Sequence, residues 1–149
     1  MPCIIKAPED VLAAAWRTQY LRGFYISRPL CALNALAFGY LAKQTSSRAV
    51  RTLHIVAAVL SASGVPYALT FLRRTNGALS IRAKKIAGDG EDPTAMALTY
   101  ARHEKRSIDR ERTWSTVDLV RRWQWHNSIR TVVLVVGTVV GAVALASDL

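Results

Sequence analysis

Long stretches without Lys, Arg, Asp or Glu alternate with charged stretches along this chain. Residues 53–72 are almost wholly apolar and end at the basic pair 73–74, and residues 131–147 are apolar up to Asp148. A membrane-spanning helix needs about 17–25 mostly apolar residues, and a Lys or Arg side chain in hydrocarbon is costly. The pattern therefore predicts membrane spans over 53–72 and 131–147.

A third apolar run lies between Arg28 and Lys43 and is shorter, at about 14 residues. That length is as typical of a buried helix in a soluble protein as of a membrane span. Adding residues 24–26, with the Arg28 side chain reaching the membrane surface, extends the run to a predicted span over 24–42.

The last run is rich in valine, which favours β-strands, so two buried strands are an alternative for it. Gly137 and Gly141 form a GxxxG motif, which lets a second helix approach closely in an apolar environment. The motif favours a packed membrane helix over 131–147, with its partner helix in the same chain or in a second copy.

The polar stretches carry helix signals of their own. In residues 9–23, Trp16, Tyr20 and Gly23 recur at helical spacing, which predicts an amphipathic helix. Residues 73–130 are predicted as a polar insertion in which a break at 88–93 precedes a helix from Thr94.

Two further signals lie within that insertion. Mixed charges over residues 95–112 are typical of a solvated helix face, and Ser115 with Asp118 resembles a capping box at the start of the next helix. The predicted fold is therefore all-α: one membrane helical bundle over residues 1–149, with three spans plus amphipathic helices.

The chain carries a net charge of +10 at pH 7 although 51% of its residues are hydrophobic. That composition excludes a disordered basic tail and a collagen-like chain. Nucleic-acid-binding proteins share such a charge, but they need a basic surface free of apolar spans. We therefore interpret the charge as membrane orientation, with lipid as a partner and no nucleic acid.

Motifs of common enzyme classes are absent from the sequence. Its two cysteines form no CxxC or Cys/His cluster, and there is no Walker loop, GxGxxG or HExxH. No metal site is predicted, and hydrolase, kinase and dinucleotide-binding functions lose their usual support.

Aromatic, amide and arginine side chains cluster where the apolar runs begin or end. Interfacial anchoring explains such clusters in any membrane protein, because Trp, Tyr and Arg concentrate at the membrane surface. Alternatively, they line a pocket at one end of the bundle, as substrate sites in helical bundles do. Spacing alone leaves both interpretations open. The residues are Trp16, Tyr20, Arg22, Asn76, Trp123, His126, Asn127 and Arg130.

These residues belong to short motifs that follow one another along the chain. The motifs are Trp16-x3-Tyr20-x2-Gly23, Pro29, Val65-Pro66, Thr75-Asn76-x2-Leu79 and Arg122-Trp123-x3-Asn127-x2-Arg130. In this order and spacing they resemble the small fungal anthrone oxygenases, from about Trp16 to the C-terminus. Members of that family usually carry a further apolar helix before the first motif, giving four spans. Two alternatives follow: the fourth span is encoded upstream of Met1, or this member has lost it.

The resemblance implies a cofactor-independent membrane monooxygenase of secondary metabolism, which oxidises a polyketide anthrone to an anthraquinone with O2. The enolate of an anthrone reacts with O2 directly, so the protein needs an apolar pocket, a base and donors for the enolate oxygen.

The resemblance also suggests roles for the clustered residues. Arg130 and Asn127 are expected to stabilise the enolate oxygen, and His126 or a bound water to take the proton. Trp16, Tyr20 and Trp123 are expected to stack on the polycycle, and Arg22 and Asn76 complete the predicted substrate site. The competing hypothesis is a non-catalytic membrane protein whose basic face binds anionic lipid or a partner enzyme.

Overall fold

The computed structural model describes residues 7–87 and 94–148, and all regular secondary structure in these ranges is helical. The prediction of an all-α fold is therefore confirmed. Two π-helical segments, Gly23–Ser27 and Ala68–Leu72, interrupt the α-helices. The α-helices are α1 (Glu9–Arg22), α2 (Arg28–Gln44), α3 (Arg48–Ala62), α4 (Gly64–Tyr67), α5 (Arg73–Ala87), α6 (Thr94–His103), α7 (Lys105–Thr113) and α8 (Thr116–Asp148).

The predicted starts of α6 and α8 agree with the structure. Ser115 Oγ accepts a hydrogen bond from the Asp118 amide at 3.1 Å and donates one to Asp118 Oδ2 at 2.6 Å. This local cap ends the connection after α7, and α8 begins at Thr116. Helix α6 begins at Thr94 as predicted, whereas the predicted break at 88–93 lies outside the described residues.

Two helical runs are long and apolar enough to cross a membrane, judged by length and composition. They are Arg48–Ile86, with 39 residues, and Thr116–Asp148, with 33 residues, and they include the predicted spans over 53–72 and 131–147. Within the described part of the chain, the region 24–42 does not meet the same criterion, so that span stays a prediction.

The described residues form two compact units, each drawn from two stretches of the sequence. The first unit contains the described residues up to Phe24 and those from Leu69 to Asn127. The second contains residues 25–68 and those from Ser128 onward.

The core of the first unit joins α1 and α5 to parts of α6 and α8. Residues 73–130, predicted as a polar insertion, supply most of this core. On α7 the predicted solvated face is only partly correct, because Ser107 and Glu111 are buried. The core cluster contains Ala13, Trp16, Tyr20, Ala78, Leu79, Ala83, Leu98, Ala101, Leu119 and Val120.

Burial of Glu111 is explained by Arg82 on α5. The Arg82 guanidinium lies 2.7 Å from Glu9 Oε1 and 3.4 Å from Glu111 Oε1. It also donates to the backbone carbonyls of Glu111 and Trp114, each at 2.7 Å. The Lys85 ammonium lies 3.1 Å from the same Glu111 carboxylate. Arg82 therefore links the start of α1 to the end of α7, where helical carbonyls need outside donors.

The second unit packs α2 against α3 and places both glycines of the GxxxG motif at helix contacts. A Cβ on Gly137 would lie 2.9 Å from the Leu60 Cβ of α3, and a Cβ on Gly141 would collide with the ring of Phe38 on α2. The predicted role of the motif, a close helix approach, is thus confirmed within this unit.

The outward side chains of the second unit include many large apolar residues. Leu33, Leu36 and Val139 are 62%, 71% and 57% exposed. Soluble monomers rarely expose large apolar patches, whereas a helix in contact with lipid tails does so without cost. These faces and the two long apolar helices fit a membrane protein.

Candidate functional site

An aromatic stripe runs along α1 in the first unit. The ring centroids of Trp16 and Tyr20 are 5.4 Å apart, and those of Tyr20 and Phe24 are 6.2 Å apart. The i, i+4 spacing places these rings on one face of the helix, and Trp16 and Tyr20 are buried in the core. Arg22 lies two residues beyond Tyr20, and its exposed side chain is not brought into this stripe.

The Thr75-Asn76-x2-Leu79 motif lies on α5 and is buried throughout. Leu79 belongs to the same core cluster as Trp16 and Tyr20. Thr75 Oγ1 accepts a hydrogen bond from Arg110 Nη1 at 3.1 Å. Asn76 lies three residues before Leu79 and therefore near the same helix face.

Gly77, inside this motif, is required by a close helix approach. A Cβ at this position would collide with the Ala101 carbonyl oxygen and would lie 2.6 Å from Ser107 Oγ. The first obstacle is backbone, which cannot rotate away as a side chain can. Glycine at 77 thus brings α5 against the end of α6 and the buried face of α7.

Gly77→Ala is expected to lower the free energy of unfolding by about 1–3 kcal/mol, the usual cost of overpacking. Gly39→Ala on α2 is the matched control, because a Cβ there meets nothing within 4 Å. That control should be neutral or stabilising by up to about 1 kcal/mol through helix propensity. Denaturant unfolding of both detergent-solubilised variants, followed by circular dichroism, tests the difference, and equal stabilities would contradict it.

Several buried polar atoms of the described residues have no hydrogen-bond partner there, and two of them belong to predicted site residues. They are Asn76 Oδ1 and Trp16 Nε1, on side chains of residues that are 7% and 2% exposed. Leaving a buried donor or acceptor unpaired costs about 1–3 kcal/mol. Asn76 Oδ1 is a hydrogen-bond acceptor and Trp16 Nε1 is a donor.

Helix α8 presents the remaining predicted residues. Trp123 packs against the core of the first unit, and His126 stacks on Phe71 with ring centroids 6.0 Å apart. Asn127, half-buried, is the last residue of this unit. Arg130 belongs to the second unit, where a Cβ on Gly64 would lie 3.6 Å from Arg130 Cδ. The structure thus gathers Trp16, Tyr20, Asn76 and Trp123 in or beside one core.

The sequence analysis included Arg122 in its last motif but missed Arg110, which lies beside the Asn76 motif. The guanidinium carbons of Arg110 and Arg122 lie 5.3 Å and 5.4 Å from the centroid of the Trp114 ring. Burial lowers the pKa of Arg110, and repulsion by Arg122 and then Arg74 lowers this pKa further. The sequence signal for Arg110 is its i, i+4 spacing from Trp114, within a stretch where charged residues are common.

The first unit also contains a cavity of roughly 470 Å³ between α1 and the end of α5. Small and aliphatic side chains form much of its wall, with Asp10, Arg17 and Thr18 as the polar residues. None of the predicted site residues lines it. It adjoins the core on the α1 face that carries Ala13.

Comparison with known proteins gives one family match. A family model described as anthrone oxygenase matches residues 16–140. The matched range includes every predicted site residue. No curated protein sequence and no solved structure gives a significant match.

Proposed function

Because this chain belongs to the anthrone oxygenase family, we propose that it oxidises an anthrone to an anthraquinone with O2. The substrate would be an aromatic polyketide of fungal secondary metabolism, and the enzyme a multi-pass membrane monooxygenase that needs no added cofactor. The family match over residues 16–140 is the observation that carries the proposal.

The proposed reaction converts the CH2 group of the anthrone to a carbonyl. A base removes one proton from this carbon, and the resulting enolate forms a bond from the same carbon to O2. Protonation gives a hydroperoxide, which loses water as the O–O bond breaks and the second C–H proton departs. One oxygen atom of O2 remains in the anthraquinone and the other leaves as water.

Proton removal is the step that protein side chains assist most directly. Donors aimed at the enolate oxygen stabilise the charge that develops there, and a base near the CH2 group accepts the proton. We assign the first role to Asn127 and Arg130, and the second to His126 or a water bound near it. Trp16, Tyr20 and Trp123 would offer aromatic surface to the planar substrate, and Arg22 would contact it at the exposed end of α1.

The buried polar atoms of the first unit support this assignment. A hydroxylated anthrone carries phenol groups beside its ketone, and it therefore offers donors as well as acceptors. Asn76 Oδ1 can accept from a phenol O–H, and Trp16 Nε1 can donate to a phenol oxygen. A phenol group that reached either atom would satisfy it.

The activity is tested directly with membranes that contain the chain and a panel of anthrones under 18O2. The expected result is anthraquinone formation above the autoxidation background, with one 18O atom in the product. Membranes from cells without the chain provide the background rate. Product formation at that rate for every anthrone would overturn the proposed activity and favour a lipid- or partner-binding protein.

Asn76→Leu is expected to leave the stability of the protein unchanged or to raise it. The same substitution should lower kcat/KM about tenfold or more, because it leaves a polar group of the bound substrate without a hydrogen-bond partner. Leucine removes a buried oxygen that has no partner within the described residues. Ser80→Ala on the same helix is the control, because Ser80 Oγ accepts from Arg102 Nε at 2.6 Å. That variant should lose stability instead. Turnover and thermal unfolding of both variants distinguish a substrate-binding residue from a structural one. If Asn76→Leu were less stable than wild type but kept a normal kcat/KM, a substrate role for Asn76 would be contradicted.

A further inference from the structure

Two arginines of the first unit share one indole ring. Arg110 on α7 and Arg122 on α8 each place the guanidinium carbon within 5.4 Å of the centroid of Trp114, which lies in the connection between these helices. A guanidinium above an aromatic face keeps its N–H groups available at its edges. Both arginines therefore retain donors for a further ligand.

Thr75 holds one of these arginines in place. Arg110 Nη1 donates to Thr75 Oγ1 at 3.1 Å, and Thr75 is fully buried on α5. A guanidinium has five N–H groups, so this bond leaves most of them unused. Arg110 is thus oriented by the core and not merely extended into solvent.

The positive charges of this pair are not neutralised by the protein residues described. Within residues 7–87 and 94–148, no carboxylate oxygen lies within 4.0 Å of the Arg110 or Arg122 nitrogens. Other arginines of the same unit do have carboxylate partners. Arg73 and Arg74 lie near Glu104, and Arg82 lies near Glu111.

Holding these charges together is unfavourable without an anion. The pKa of Arg110 is lowered by burial and by the nearby Arg122 and Arg74, while the side chain stays protonated at neutral pH. Oxyanions bind such groups through short, charge-assisted and often bidentate hydrogen bonds. An anionic ligand would relieve the repulsion that the folded chain imposes.

We infer that Arg110 and Arg122, held over Trp114, bind the carboxylate of an aromatic acid, so that the preferred substrate is an anthrone bearing a carboxyl group. The anthrone part of this inference rests on the proposed function. The carboxylate part rests on the two guanidinium groups.

The surroundings favour an aromatic acid over a lipid phosphate. Trp114 packs against the same core cluster as Trp16, Tyr20 and Trp123. Thr75, the anchor of Arg110, directly precedes Asn76, whose buried oxygen has no partner among the described residues. A carboxylate on the two arginines would therefore lie beside the Trp114 indole, in a unit whose core contains further aromatic side chains.

Calorimetric titration of the detergent-solubilised chain tests the inference with two stable probes. Anthraquinone-2-carboxylate carries the proposed anion, and 2-methylanthraquinone is its neutral match. The wild-type chain should bind the carboxylate at least tenfold more tightly, which corresponds to one charge-assisted hydrogen bond of about 1.5–3 kcal/mol. Arg110→Gln and Arg122→Gln should each remove most of that difference and leave the neutral probe within about twofold of wild type.

Arg112→Gln and Arg121→Gln are matched controls. Arg112 and Arg121 lie on α7 and α8 and are exposed, as Arg122 is. Each substitution removes one positive charge, but the arginines over the Trp114 ring are Arg110 and Arg122. They should change the Kd of the carboxylate by less than about twofold, as expected for screened surface charges. Losses equal to those of Arg110→Gln would mean that net charge, not this site, attracts the probe, and would overturn the inference.

Two other results would also overturn it. One is equal affinity of the wild-type chain for the two probes. The other is binding of the chain to phosphatidylglycerol bicelles, but not to phosphatidylcholine bicelles, that requires Arg110 and Arg122 and is not displaced by anthraquinone-2-carboxylate. This result would assign the arginines to a lipid phosphate. Because these titrations need no turnover, a failed oxygenase assay and a failed carboxylate site give different results.

Discussion

Arg82→Gln is expected to lower the free energy of unfolding by about 3–5 kcal/mol, the range seen when one partner of a buried ion pair is removed. The Arg82 and Glu111 side chains are 16% and 9% exposed, and the more exposed Lys85 is the cation that remains beside the Glu111 carboxylate after the substitution. The substitution also removes the donor to the Glu111 and Trp114 carbonyls at the end of α7. Denaturant unfolding in detergent, followed by circular dichroism, measures the change.

Arg110→Gln is the natural comparison for that measurement. It removes an arginine of the same unit that makes one hydrogen bond to a neutral hydroxyl and whose pKa is lowered by burial and like charges. Because Arg110 stays protonated at neutral pH, relief of this repulsion offsets the lost bond. We expect a clearly smaller loss of stability than for Arg82→Gln. Equal losses of stability would show that the ion pairs and carbonyl hydrogen bonds of Arg82 stabilise the fold no more than the single hydrogen bond of Arg110 does.

Local sequence signals predicted the elements that depend on neighbours along the chain. The i, i+4 spacing of Trp16 and Tyr20 predicted that the two rings share one face of α1, because rings four residues apart meet on any helix. That this face is buried was not predicted. Ser115 and Asp118 predicted the start of α8, because a cap involves only adjacent residues. The GxxxG pair predicted a close approach on α8 without identifying its partners, Leu60 and Phe38.

The arrangement of charges on α7 could not be predicted in the same way. Charged residues at 95–112 are typical of a solvated face, and whether Glu111 is buried depends on Arg82 and Lys85, far away in sequence. The position of Arg110 depends likewise on Thr75 of α5. Such pairings arise only when helices pack, so a charge pattern alone does not distinguish surface from core.

The residues of the candidate site stay a prediction, and their arrangement could not be predicted from the sequence. The resemblance selected Trp16, Asn76 and Trp123, and the structure places them in or beside one core. The burial of Asn76 Oδ1 without a partner among the described residues is invisible in sequence, since most buried amides are satisfied. The resemblance also selected Arg22, which is exposed.

The most stringent test of the chemistry is Arg130→Ala, for which kcat/KM for anthrone oxidation is expected to fall about 100- to 1,000-fold, as when one oxyanion donor is lost. Arg130 is half-buried and three residues beyond Asn127 on α8, so a structural role must be separated from a chemical one. Arg130→Lys keeps the charge and should retain more activity than alanine. Arg121→Ala, exposed on the same helix, should stay within about twofold of wild type.

The pH dependence of kcat for the Arg130 variants distinguishes these roles. A cation beside the enolate oxygen lowers the pKa of the bound anthrone, because it favours the charged form. Its removal should shift the rise of kcat to higher pH, and Arg130→Lys should shift it less than Arg130→Ala. A purely structural arginine would lower the amount of active protein without moving the profile. An unchanged profile together with unchanged kcat/KM in Arg130→Ala would exclude the oxyanion role, and Asn127→Ala would then test whether the amide alone supplies it.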